Sequence, residues 1–442
     1  MAAPKSPAST PPREPHHLSR RQALGLAGGA ALLPLLAGCG NDAVKDITYL
    51  NAKSEIKEFL DTLVGGFNES QNDVRVKVDF DFVKFVPSLV RGKPFNAVTM
   101  NLRWDTAQYG LRGVFRDLSD LPIVADMNPD MMELTRGFGA LEGQTSILPF
   151  AIAGAGVLYN KAIFRDLRLE VPRTWPEFKK VAKALGDAGK IPVYGTFRDA
   201  WTLQQGPFDA AAGGLVDVQG FFDQMYALGP DFSPDTSPVS FQKDYVDAAI
   251  RVVELFQFSQ KGASTALYQN GHAAMARGEA GMYIMGPWGI APIMAINPEL
   301  ELGTFPAPMT DDPDGAKVRV NVDMFVGIPR EASNQDASLK FVEWLVSKPV
   351  IDEYTSANGA YSPLKNAPVP TDPKIDGLNE AMAAGRFFQG ASTYMLSGMQ
   401  LEPLLQQLTF DRNVDAFLRA VDDDWARVAR RPSASLKDGS AS

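Results

Sequence analysis

The sequence predicts an α/β fold in which sheets are flanked by helices, and three observations carry that prediction. A strand, an amphipathic helix and a second strand follow one another between residues 47 and 80. The same alternation recurs down the chain, as βαβ units and parallel sheets require. The 442 residues, 45% hydrophobic and 21% charged, are enough for two or three units that each bury a core.

Element by element, Ile47-Thr-Tyr-Leu50 reads as a short buried strand. Ile56, Phe59, Leu60, Leu63, Val64 and Phe67 recur at i, i+3, i+4, i+7, i+8 and i+11, one face of a helix. Val74, Val76, Val78 and Phe80 alternate with polar residues, the period of a strand. Asn96 to Met100 and the glycine-rich apolar run Ile147 to Tyr159 are further strands. Thr174-Trp-Pro-Glu177 is a capping box with proline in the first turn, and Phe178, Val181, Ala182 and Leu185 give the buried face of its helix. A strand at 191–194, a helix from about Asn270 and a strand ending at Gly286-Pro287 follow. Val318 to Ile328 is an extended crossing segment, and Asp336 to Ser347 an amphipathic helix. Pro363 to Lys374 reads as a loop, 401–430 as helical and 432–442 as a disordered tail, and no internal repeat is present.

The first forty residues have a different logic. Arg20-Arg21 precede an uncharged stretch from Ala23 to Gly38 that ends Leu36-Ala37-Gly38-Cys39, the layout of an export signal over residues 1–38. The stretch is short for a membrane span and contains Pro34. The arginine pair resembles a twin-arginine signal, although Ala23 and Gly25 stand where Phe and Lys are common; a general secretion signal is the alternative. Leu36-Ala37-Gly38-Cys39 resembles a bacterial lipobox. Cys39 is the one cysteine of the chain, cannot form an internal disulfide, and is explained by lipidation, with 39–45 as the anchored linker. Without residues 1–38 the chain has 39 basic and 51 acidic residues and no basic run, which argues against nucleic acid and against binding to anionic lipid except through the anchor.

Catalytic machinery is sparse. His16 and His17 fall in the signal, leaving His272, read as a surface or capping residue. There is no His/Cys metal spacing, Gly-x-Ser-x-Gly elbow or phosphate loop, so neither cofactor nor metal is expected. Asp79 and Asp81 share a strand face, a spacing common without catalysis. The aromatics are more informative. A sugar needs flat aromatic platforms for its C–H face and planar polar groups for its hydroxyls. Asn101-Leu-Arg-Trp104-Asp105, Arg198-Asp199-Ala-Trp201 and Gly286-Pro-Trp288 offer both near loops, whereas Trp175 and Trp344 sit at apolar helix positions.

Leu158-Tyr-Asn-Lys-Ala-Ile-Phe164, Pro172-Arg-Thr-Trp-Pro-Glu-Phe178 and Asn270-Gly-His-Ala-Ala-Met-Ala-Arg-Gly-Glu-Ala-Gly-Met282 follow in order, then Gly286-Pro-Trp288, Phe305-Pro-Ala-Pro308 and Val326-Gly-Ile-Pro329. This series resembles the extracellular solute-binding proteins of ABC importers, family 1, the maltose-binding-protein-like group. The resemblance implies a two-lobed periplasmic-binding-protein-like fold, each lobe a sheet flanked by helices, joined by hinge strands around a ligand cleft. Lobe 1 would take 46–152 and 324–361, and lobe 2 would take 153–323 and 362–435, with 436–442 a tail. It implies a monomeric, lipid-anchored receptor on the outer face of the cytoplasmic membrane, a sugar or oligosaccharide ligand and permease subunits as partners. By position it assigns ligand contacts to Trp288, Trp201, Trp104, Asp105, Asn101, Asn51, Lys53, Glu55, Arg198, Asp199 and Tyr394. Asp323, where the group commonly has a glycine pair, adds a hydrogen-bonding group or faces solvent. Ala153, Gly154 and Ala155 replace a carboxylate, which argues against maltose itself. A polyol or sugar phosphate, favoured by a pocket around Arg103 and Arg198, and an exported carbohydrate-active enzyme are the alternatives.

Overall fold

The computed structural model describes residues 44–53, 56–139 and 143–430. Cys39, the arginine pair, Glu55 and the tail from 431 lie outside the described residues. Among the described residues nine strands join in one hydrogen-bonded sheet. They are β1 (Lys45–Asn51), β2 (Val74–Asp79), β3 (Ala97–Met100), β4 (Leu148–Asn160), β5 (Ile191–Val193), β6 (Ala280–Met285), β7 (Leu302–Phe305), β8 (Val318–Gly327) and β9 (Phe387–Gln389). The main path runs β2-β1-β3-β8-β4-β6-β5, with β7 on β4 and β9 on β8.

Two strands make this one path serve two halves. β4 has 13 residues, roughly 40 Å when extended. Its start pairs Leu148 with Val326 of β8, beside β3, while its end pairs Gly156 to Tyr159 with β6 and Val157 to Asn160 with β7. The β4–β8 register shifts on both sides of Ala151, and such irregularities bend a strand pair where it passes from one half to the other. Tyr361 bridges Ile152 as a third passage. Gly154 is small because that passage is close: a Cβ there would lie 2.9 Å from the Tyr361 ring.

Each half has helices for the reason the periodicity gave. The helix Lys57–Ser70 buries Leu60, Leu63, Val64 and Phe67 in a core with Ile47, Tyr49 and Phe341. The helix Trp175–Asp187 begins with the capping box of Thr174 and Glu177 and buries Trp175, Phe178 and Leu185 against Val157 and Met282 of the other half. The segment 401–430 is not one helix. It breaks into Leu401–Asp411 and Val414–Ala429 because Arg412 turns left-handed, with φ 55°, and the Asn413 side chain caps the second helix at Ala416. Among the described residues no helix is long and apolar enough to cross a membrane.

Candidate functional site

The site is built around the polar face of β8. Val318, Val320, Val322 and Met324 are buried, while Arg319, Asn321 and Asp323 alternate with them and line a cavity of about 300 Å³ between the halves. Asp323 is held from the first half: its carboxylate accepts from Lys53 Nζ at 2.5 Å and from Asn101 Nδ2 at 3.0 Å. Arg319 is held from the second. Its Nε donates to Asp209 at 2.6 Å, and its Nη1 to Asn321 at 3.1 Å. Asp209 has no exposure and also accepts from the backbone N–H and hydroxyl of Ser392, at 2.8 and 2.7 Å. A buried pair with this many partners fixes the guanidinium in the cavity wall.

Two indoles complete the wall. Trp201 stands edge-on to Tyr268, with ring centroids 4.8 Å apart. Trp288 sits in the turn Pro287–Gly289 after β6, half-buried. Its ring folds over Gly286, whose backbone is extended at φ −85°, so this glycine supplies space and not a special conformation. A Cβ on Gly286 would come within 2.2 Å of the indole. Gly286→Ala is therefore expected to push Trp288 off its platform and weaken ligand binding about tenfold, with the far-ultraviolet spectrum unchanged. Wild-type affinity in that variant, by calorimetry, would remove Trp288 from the site.

Gln204 and Gln205 reach the same cavity from the π-helical turn Gln204–Phe208, which contains Pro207. Proline has no N–H to donate back along the helix, and such turns recur at functional sites. Glu402, in the first turn of Leu401–Asp411, also lines the cavity. Burial pushes its carboxyl above the ordinary 4.5, against the pull of Arg103. A raised acid favours folding fully below its unfolded pKa and loses that contribution as pH rises through its folded pKa. Glu402→Gln should accordingly raise the melting temperature of the empty protein at pH 7 and change it little near pH 4. Equal shifts at both pH values would contradict this account of Glu402.

Of the residues assigned from sequence, Lys53, Asn101, Trp201, Trp288 and Asp323 meet at this cavity. Others are placed elsewhere. Asn51 is fully buried and donates to Thr99 Oγ1 at 2.7 Å, because its strand turns it into the first core. Trp104 stacks on Tyr226 of the second half, at 4.9 Å and 20°. Asp105 pairs with Arg103 in solvent, and Arg198 is exposed and absent from the cavity lining. The Asp199 carboxylate accepts from the backbone N–H of Tyr268 at 2.5 Å, at the start of the helix Tyr268–Ala276. Tyr394 is 3% exposed, stacks on Phe222 at 5.1 Å and lies within 2.5 Å of Gln219 Oε1; its neighbours Ser392 and Thr393 line the cavity instead. His272 is 5% exposed against Tyr268, not on the surface. Asp79 binds Lys84 and lines no described cavity wall of this site.

A model of the bacterial extracellular solute-binding proteins matches residues 51–351, more than half of the chain. The chain belongs to this family. This solute-binding protein is 23% identical over 350 residues to the multiple sugar-binding protein of Streptococcus mutans, covering 76% of this chain and 80% of that one. Its fold is similar to that of apo RafE from Streptococcus pneumoniae, with a TM-score of 0.76 at 20% identity, covering 88% of this chain and 99% of that one. It is also similar to RafE in complex with raffinose, with a TM-score of 0.73 at 20% identity, covering 87% and 99%. The two-lobed solute-binding architecture is thus that of this protein, and β4 and β8 are the long strands that pass between its halves.

Proposed function

We propose that this protein captures a sugar or oligosaccharide outside the membrane and delivers it to the permease of an ABC importer, without chemical change. The observation that carries the reading is the cavity wall: two indoles, Trp201 and Trp288, beside fixed polar groups from the first half, the second half and the hinge strand β8. Flat apolar faces next to planar donors and acceptors suit a ring with C–H faces and a hydroxyl rim. The names of the multiple sugar-binding relative and the raffinose complex support the same class. Arg103, Arg319 and Lys53 would suit a sugar phosphate, but Asp323 and Glu402 share their wall and repel an added phosphate, which favours an uncharged sugar.

We take lobe 1 as 46–152 and 324–361 and lobe 2 as 153–323 and 362–435, and the ligand as stabilising their closed arrangement. A ligand does so only through greater affinity for that arrangement. A thermal-shift screen of the intact chain against mono-, di- and trisaccharides tests the reading, because a ligand at about 100 times its Kd adds about 2.7 kcal/mol to stability. A saccharide that raises the melting temperature and shrinks the radius of gyration supports it; no response to any saccharide contradicts it.

Cys39 is, on this reading, the lipid anchor of a monomeric receptor. Its support is the lipobox-like Leu36-Ala37-Gly38 before the one cysteine of the sequence. Cys39→Ser is expected to move the protein from the membrane to the soluble fraction at unchanged ligand affinity. Retention in the membrane fraction would count against the anchor.

A further inference from the structure

The polar cavity is the smaller part of the cleft. Beyond Trp201 and Trp288 lies a second space of about 900 Å³ that shares both indoles, Lys53 and Asp323 with the first. Its far wall is aliphatic, formed by Ile56, Pro287, Ile290, Pro292, Met294 and Ile375. Several of the polar side chains around it already have partners. Lys53 holds Asp323 at 2.5 Å, Lys374 holds Asp372 at 3.0 Å, and Asn358 donates to the Tyr354 carbonyl at 2.9 Å. Burial holds His272 below its ordinary value, which favours its neutral form, and its buried Nε2 has no hydrogen-bond partner among the described residues. A sugar turned into this space would bury hydroxyls against carbon, whereas an aryl or alkyl group has no hydrogen bonds to lose.

We infer that the ligand is an amphiphilic glycoside, whose sugar occupies the polar cavity and whose apolar aglycone fills the larger space beyond Trp288. The inference rests on the sugar reading of the polar cavity. The two indoles at the shared border serve both parts, one portion of the wall facing the sugar and the other the aglycone. Two continuous spaces of such different lining select a molecule with two chemistries.

The test is calorimetric titration of the intact chain with the methyl, phenyl and octyl α- and β-glycosides of glucose, galactose, mannose and xylose, beside their di- and trisaccharides. For the sugar that binds, the phenyl or octyl glycoside is expected to bind about tenfold or more tightly than the methyl glycoside. Met294→Glu should abolish that gain while leaving the methyl glycoside within about twofold. Ala291→Asp, at an exposed position on the same wall, should do the same and guards against a folding defect in the first variant. Equal affinity for methyl, phenyl and octyl glycosides would overturn the inference and leave the sugar reading intact. So would a di- or trisaccharide that gains as much as the phenyl glycoside. No binding by any glycoside or saccharide would overturn both.

Discussion

Arg319→Ala is expected to lower unfolding stability by about 3–5 kcal/mol, the cost of stranding a buried charge. Asp209 has no exposure, and Arg319 is its one cationic partner among the described residues. The Ser392 N–H and hydroxyl would remain on the carboxylate, but two dipoles do not replace a guanidinium at 2.6 Å. Gly390 is packed so closely that a Cβ there would meet both Asp209 and Arg319, so little room exists for relaxation or a compensating solvent shell. Removing both charges, as Asp209→Asn with Arg319→Met, should cost less than Arg319→Ala alone, since replacing a buried pair is cheaper than breaking it. Urea unfolding of the three variants checks this. A loss below about 1 kcal/mol for Arg319→Ala would show that the pair is solvated in solution.

Trp288→Ala should weaken ligand binding about thirtyfold, from the roughly 2 kcal/mol that a desolvated aromatic anchor contributes. The resemblance assigns this ring to the ligand, and in the structure it is shared between the cavities and the core of its own half. One face rests on Gly286 and the edge of a core with Leu158, Met285 and Ile293, while the ring also borders both cavities. A stability loss on the order of 1–2 kcal/mol should therefore accompany the loss of affinity. Calorimetry and thermal unfolding separate the effects. Unchanged affinity with a larger stability loss would make Trp288 a core residue alone.

The fold was legible because periodicity is a local signal. Ile56 to Phe67 and Val74 to Phe80 announced a helix and a strand, and the helix Lys57–Ser70 and β2 are there. The left-handed break at Arg412 was not legible, since nothing in the apolar spacing interrupts there. The site was legible only in part. Lys53, Asn101, Trp201, Trp288 and Asp323 reach the cavity, yet Trp104 and Tyr394 are spent on aromatic partners, Tyr226 and Phe222, brought close by the fold alone. The signal that went unused is Val318-Arg-Val-Asn-Val-Asp-Met324. Its period of two puts Arg319, Asn321 and Asp323 on one face of β8, and that face is part of the cavity wall. Glu402 had no such signal, because it arrives from the far end of the chain.

Asp323 and Glu402 share the cavity, and they are the two carboxylates a hydrolytic reading would invoke. Asp323 is clamped by Lys53 and Asn101, which suits holding a hydroxyl more than attacking a bond. Titration of the intact chain with the saccharide that gives the largest thermal shift, followed by mass spectrometry of the ligand recovered after prolonged incubation, decides between capture and chemistry. Saturable one-to-one binding with the saccharide recovered unaltered is the predicted result; cleaved or modified saccharide would contradict the account.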